Sequence, residues 1–230
     1  MKKIGLIGGM SWESSMVYYE LINLKVRELL GGFHSSRCIM ESVDFAEIEK
    51  LQHNGDWDGL GNLMVKAAQN LEKSGADVIV LCTNTMHLLS ENIKQNISVP
   101  FLHIADATGK SILSKKIKKV ALLGTKFTME KDFYKDVLFQ NYNIEVIIPD
   151  KNDREIVHDI IYKELVHGKL KDDSRELMIQ IIKKLELNGA EGVILGCTEI
   201  PLLIQQKDVD ITVFDTTKIH ADDAVDFALS

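Results

Sequence analysis

Gly75-Ala76-Asp77-Val78-Ile79-Val80-Leu81-Cys82-Thr83 decides how this chain folds, because it returns as Gly189-Ala190-Glu191-Gly192-Val193-Ile194-Leu195-Gly196-Cys197. The offset is 114 residues (189 − 75). A second pair, Lys2-Lys3-Ile4-Gly5-Leu6-Ile7-Gly8 and Lys118-Lys119-Val120-Ala121-Leu122-Leu123-Gly124, lies 116 residues apart (118 − 2). Agreement in residue type, order and spacing points to one α/β unit followed by a copy of itself, with an active site between the copies. In both stretches a helix-stopping glycine leads into an apolar run. Thr83 and Cys197 then fall at equivalent places just past strand ends.

The rest of the chain repeats the same rhythm. Short β-rich runs stand at Ile4–Ile7, Ile39–Val43, Val78–Leu81 and Phe101–Ile104, then at Val120–Leu123, Ile144–Ile148, Val193–Leu195 and Thr212–Phe214. Between them Ser15–Leu30, Leu60–Ser74, Glu91–Asn96, Lys131–Phe139, Asp153–His167 and Ser174–Asn188 carry apolar residues at three- and four-residue spacing. Such alternation predicts an α/β protein of two pseudo-symmetric domains, each a parallel sheet flanked by helices. Residues 1–106 plus 214–230 are assigned to the first domain and 107–213 to the second, with the last strand and helix packing back on the first half.

Composition narrows the function. At 230 residues, 45% hydrophobic and 27% charged, the chain has enough apolar surface for a substantial core. A net charge of −7, from 27 basic and 34 acidic side chains, offers no footprint for nucleic acid or an anionic membrane. The cluster Lys110, Lys115, Lys116, Lys118 and Lys119 reads as a solvated helix end. No apolar run is long enough to span a bilayer, and the apolar start Ile4–Met10 runs directly into polar Ser11, Glu13 and Ser14, so no signal peptide is expected. Three widely spaced cysteines, Cys38, Cys82 and Cys197, suit free thiols in a reducing cytosol, so a cytoplasmic location is expected.

In parallel sheets ligands collect outside the carboxyl ends of strands. There the sequence places Gly8-Gly9-Met10-Ser11, Thr83-Asn84-Thr85-Met86-His87, Gly124-Thr125 and Cys197-Thr198-Glu199. Cys197 opens a strand-to-helix turn whose backbone N–H groups and helix dipole are expected to lower the thiol pKa; the alternative is a small buried hydrophobe. Adjacent strand residues point to opposite faces, so a cleft-facing Cys197 puts Thr83 in the cleft and turns Cys82 to the core. Cys38 begins a strand and reads as packing. Asn84, Thr85 and Thr198 read equally as helix caps or as carboxylate binders. Gly8 and Gly9 would let backbone approach a ligand, although Gly5-Leu6-Ile7-Gly8-Gly9 is no GxGxxG motif. No nucleophile elbow or Walker loop is present, and Cys82 and His87 lack further ligands at metal spacing. His87, His103 and His158 read as structural.

Ile4-Gly5-Leu6-Ile7-Gly8-Gly9-Met10-Ser11-Trp12-Glu13-Ser14, Leu81-Cys82-Thr83-Asn84-Thr85-Met86-His87, Pro100-Phe101-Leu102-His103-Ile104-Ala105-Asp106-Ala107-Thr108 and Gly196-Cys197-Thr198-Glu199-Ile200-Pro201 together resemble the aspartate/glutamate racemase family. The resemblance implies two pseudo-twofold α/β domains and a substrate held between two cysteines, one on each face of the α-carbon. It implies no cofactor, so neither pyridoxal phosphate nor a metal is expected, and commonly a homodimer. The family's first cysteine stands directly before Asn-Thr; here that place is Thr83, and only Cys197 matches.

A hydroxyl is a far weaker acid than a thiol, so the two directions of proton transfer should be unequal. The expected activity is therefore one-sided racemisation of an acidic amino acid, aspartate or glutamate, with L-preference. Met10, Gln52, Asn84, Thr85, Thr125, Lys163, Thr198 and Glu199 are expected at the substrate. Glu199 stands where glutamate-type relatives more often carry histidine, which favours the aspartate-like branch. No arginine lies between Arg37 and Arg154 to fork a side-chain carboxylate, leaving Gln52, Lys50, Lys126 or Lys163, with Gln52 and Lys163 preferred. The competing readings are a malonate decarboxylase or maleate isomerase on the same scaffold, and a non-catalytic binder of an acidic amino acid.

Overall fold

A computed structural model describes residues Met1–Ser230. Its elements run β1 (Ile4–Gly8), α1 (Trp12–Leu30), β2 (Cys38–Ser42), α2 (Phe45–His53), α3 (Trp57–Lys73), β3 (Val78–Leu81), α4 (Ser90–Lys94), β4 (Phe101–Leu102) and α5 (Ile104–Ser114). They continue as β5 (Lys119–Gly124), α6 (Lys126–Glu130), α7 (Phe133–Tyr142), β6 (Glu145–Ile147), α8 (Lys151–Lys163), α9 (Asp172–Leu187), β7 (Gly192–Gly196), α10 (Ile200–Leu203), β8 (Thr212–Asp215) and α11 (Thr216–Leu229). All strand pairings are parallel, in the orders β2-β1-β3-β4 and β6-β5-β7-β8. The two sheets have the same topology, as a duplicated unit requires.

The compact units are Met1–Ile104 with His220–Ser230, and Ala105–Ile219. The chain enters the second unit at the start of α5 and leaves it within α11. One expectation is corrected here: the last strand does not return to the first half. β8 pairs with β7 from Gly192↔Thr212 to Leu195↔Asp215, because it is the counterpart of β4 and completes its own sheet. Only the helix returns, burying Ala221, Ala224, Val225 and Ala228 against Ile4, Leu6, Tyr18 and Val80.

Both units solve the strand entry in the same way. In the first, Gly75 (φ 82°) ends the helix and the Asp77 carboxylate accepts the backbone N–H of Lys3 at 2.6 Å. In the second, Gly189 (φ 91°) does so and Glu191 accepts the N–H groups of Lys118 and Lys119 at 3.1 and 3.2 Å. Acid and lysine backbone recur at the repeat spacing, so the similarity extends to hydrogen bonding. Alternate residues of β3 face opposite cores: Ile79 and Leu81 join Leu60, Met64 and Leu71 of α3, while Val78, Val80 and Cys82 join α1 and α11. In the second unit Val193 and Leu195 pack with Val157, Ile161, Met178 and Ile182. No helix is long and apolar enough to cross a membrane.

Gly8 and Gly9 are packed closely against the chain's own atoms. Gly9 has φ 94° and lies so close to the main chain of Val43 that a Cβ would run into the Val43 carbonyl; its N–H donates to Ser15 Oγ at 2.8 Å. Val43 N–H in turn donates to Gly8 O at 3.0 Å, tying β1 to the turn before α2. A Gly9→Ala substitution combines left-handed backbone with a main-chain clash and should cost about 3 kcal/mol or more. The expected outcome is a lower urea midpoint for the fluorescence of Trp12 and Trp57.

Candidate active site

β7 is buried along its length and ends at Gly196, where an added Cβ would lie 3.0 Å from Leu123 O and 3.1 Å from Thr128 Cγ2. Cys197 is therefore the first residue past the sheet with a side chain. It is 8% exposed. Its Sγ donates to Glu199 Oε2 at 2.8 Å, and Thr198 Oγ1 donates to the same oxygen at 2.8 Å. The thiol is thus held by an anion two residues on.

That geometry corrects one expectation. Burial first, then the charge of Glu199 and the hydrogen bond to it, push the Cys197 thiol well above its ordinary value of 9.0. The backbone N–H groups of Glu199 and Ile200 pull the other way and are outweighed. The following helix, α10, has only 4 residues, too few to build a large dipole. The resting sulfur is a thiol with a carboxylate in place to take its proton.

Thr83 is reached in the same way. Ile7↔Leu81 pairing in the first sheet corresponds to Leu123↔Leu195 in the second, so Thr83 and Cys197 are both two residues beyond matching rungs. Cys82 is fully buried in the core with Tyr18 and Ile22, and burial pushes its thiol far up. Thr83 is only partly buried. Its N–H donates to Leu81 O at 2.9 Å, and a 3-10 turn over Thr85–Leu89 follows. Cys38 is half-buried beside the same core, with its thiol also raised by burial.

The other expected residues divide by unit. In the first, Met10 (5% exposed) packs with Ile7 and Ile48, Gln52 is buried on α2, and Asn84 and Thr85 are buried at the start of the 3-10 turn, Asn84 making no capping bond with its side chain. In the second, Thr125 caps α6, accepting from Thr128 N–H at 3.3 Å. Thr198 and Glu199 lie in the Cys197 turn. Lys163 is exposed at the end of α8 and bonds Asp159 at 2.8 Å, a pairing that it must leave to grip a carboxylate. Of the alternative cations, Lys50 is exposed on α2, and Lys126 approaches Glu155 at 3.6 Å.

Sequence reading missed a histidine cluster under the Thr83 turn. His87, His103 and His220 are 0%, 4% and 0% exposed. His87 lies 4.8 Å from His103 and 5.5 Å from His220, ring centre to ring centre. Burial first, then these two neighbours, hold His87 well below the usual 6.5. The four-residue spacing of Thr83 and His87 was the available signal. His220 is 133 residues beyond His87 (220 − 87) and gave none.

These strand ends define a two-unit α/β enzyme scaffold with a thiol and a hydroxyl at equivalent positions. Residues 7–224 match the Asp/Glu/Hydantoin racemase family model, and the chain belongs to that family. Membership makes it a racemase, an isomerase by reaction class. A candidate Asp/Glu racemase from Yersinia pestis has 51% sequence identity and a TM-score of 0.95, with 100% of each chain covered. An aspartate racemase homologue from Pyrococcus horikoshii OT3 has 38% identity and a TM-score of 0.89 over 100% of both chains. The broad specificity amino-acid racemase RacX of Bacillus subtilis is 27% identical over 177 residues, 74% of this chain and 73% of its own length.

Because the Glu199 carboxylate accepts the thiol hydrogen bond and its charge opposes a thiolate, Glu199→Gln removes that charge and lowers the Cys197 pKa. Iodoacetamide alkylation of Cys197 at pH 8, followed by peptide mass spectrometry, should be several-fold faster in the variant, with Cys82 unmodified in both.

Proposed function

We propose that the chain is a cofactor-independent racemase of an acidic amino acid, aspartate or glutamate, that prefers the L-enantiomer and uses Cys197 and Thr83 as its two proton-transfer groups. The observation that carries this reading is the matching position of the two side chains beyond equivalent rungs of two sheets with one topology. The reading requires both to reach one α-carbon, from opposite faces.

Glu199 takes the proton from Cys197, and the thiolate removes the α-hydrogen of the L-enantiomer. The hydrogen then has two fates. Return from sulfur regenerates the L-form, exchanged with solvent; delivery of the Thr83 hydroxyl proton to the other face gives the D-form, and solvent reprotonates the alkoxide. Starting from the D-form, an alkoxide must serve as the base, and a hydroxyl of this kind ionises far less readily than a thiol. Inversion crosses the same barriers from either enantiomer, so the asymmetry in acid strength shows itself as faster α-hydrogen exchange of the L-form, through sulfur alone, than of the D-form.

Substrate carboxylates are assigned to Thr85, Thr125 and Thr198 at the turns, and the side-chain acid to Gln52 and Lys163, with Met10 and Asn84 alongside. The chemistry runs on side chains and needs neither pyridoxal phosphate nor a metal. A homodimer in the cytoplasm is the setting the family resemblance suggests.

The mechanism is tested in heavy water with each enantiomer of aspartate and glutamate. Cys197→Ala should lose both α-deuteration with retention and inversion, by roughly a hundredfold or more. Thr83→Ala should lose inversion while keeping deuteration of the L-form. Undiminished exchange in Cys197→Ala, or equal exchange into both enantiomers by the wild type, refutes the mechanism. Lys163→Ala should raise KM for the acidic substrate about tenfold, the loss of one charge-assisted hydrogen bond, with kcat within about threefold.

A further inference from the structure

The fixing of Thr83 falls to a residue with no counterpart in the second half. His87 Nε2 lies 3.2 Å from the backbone N–H of Ile104, which can only donate, so that ring nitrogen accepts. The proton of a neutral ring then sits on Nδ1, which lies 2.8 Å from Thr83 O and donates to it. The ring is a rigid brace between the Thr83 carbonyl and the first residue of α5. A cationic ring would carry a proton on both nitrogens and set N–H against N–H at Ile104.

The surroundings keep the ring neutral by the same logic. His220 Nε2 is 3.0 Å from Leu102 O and must donate, so its Nδ1 accepts from Tyr18 Oη at 2.9 Å. A neutral ring meets both of these partners too. His103 and Phe101 close the remaining sides, with ring centres 4.8 and 5.6 Å from that of His87. No carboxylate is among these neighbours.

The repeat sharpens the assignment. At its offset of 114 residues, Cys197-Thr198-Glu199-Ile200-Pro201 corresponds to Thr83-Asn84-Thr85-Met86-His87. Proline at 201 has no donor with which to hold the Cys197 carbonyl. Sulfur is instead held through its own atom by Glu199. Threonine is β-branched, with its hydroxyl one torsion from the main chain, so pinning the peptide orients the oxygen. One proton-transfer group is held by its side chain and the other by its backbone.

We propose that His87 is the positioning residue for Thr83, acting as a neutral Nδ1–H donor to the Thr83 carbonyl, and that it governs inversion and not α-proton removal by sulfur. This rests on the assignment of Thr83 as a proton-transfer group. Two substitutions divide the brace. In His87→Asn the amide nitrogen replaces Nδ1 and keeps the bond to Thr83 O; in His87→Gln the amide oxygen replaces Nε2 and keeps the bond to Ile104. Both lose one buried hydrogen bond, so a purely structural role predicts equal effects.

In heavy water with L-aspartate and L-glutamate, His87→Gln should lower inversion by roughly tenfold or more relative to deuteration with retention, as a displaced reacting group does. His87→Asn should keep that ratio within about threefold of wild type. A ratio unchanged in His87→Gln, or shifted equally in both variants, overturns the proposal. Thr83→Ala in the same assay keeps the two readings apart: if it inverts substrate normally, the assignment of Thr83 fails, whatever His87 does. Should either variant not fold, 15N NMR of the wild-type histidines decides. A neutral Nδ1–H His87 from pH 6 to 9 supports the brace, and an Nε2–H or cationic ring overturns it.

Discussion

The fold depends on the buried central pairs β1–β3 and β5–β7, in which strand register leaves no freedom about which residue emerges first from the sheet. Shifting β3 by one residue would exchange Ile79 and Leu81 with Val78, Val80 and Cys82 across two packed cores. Such a slip is prohibitive when every position is buried. The register therefore turns Cys82 into the core and puts Thr83 two residues past the Ile7↔Leu81 rung, as Cys197 is two residues past Leu123↔Leu195 in the second sheet. The placing of these two side chains is a by-product of core packing.

Those two positions are then secured by opposite means. Cys197 is bonded through sulfur to Glu199, and burial together with the charge of that carboxylate holds the thiol well above its ordinary range. Thr83 is held through its carbonyl by a ring that must be neutral to satisfy both of its partners. A thiol whose acidity matters needs a partner that shifts it. A hydroxyl whose acidity is nearly fixed needs only to be aimed.

Much of this was legible in the chain. All eight strands lie where the apolar runs place them, because parallel strands buried on both faces are short, continuous and bounded by glycine or polar turns. The repeat predicted the shared sheet order, and Gly75 and Gly189 predicted the helix stops. Other features were not legible. α2, at Phe45–His53, has only Ile48 and Gln52 buried, too little apolar contrast for its period to stand out. The close approach of Gly9 to the Val43 main chain was not legible either, since a glycine does not reveal what it approaches.

The sequence by itself determined the duplicated α/β architecture, the family, and the pairing of Thr83 with Cys197, because each is written in local periodicity and in spacing along the chain. Only the tertiary structure decided the state of the groups at those positions. The direction of the Cys197 shift depends on the balance of burial, Glu199 and backbone donors in three dimensions, and the neutral form of His87 depends on Ile104, His103 and His220 converging on one ring. Acidity and tautomer are set by distance and burial, which a one-dimensional chain does not contain.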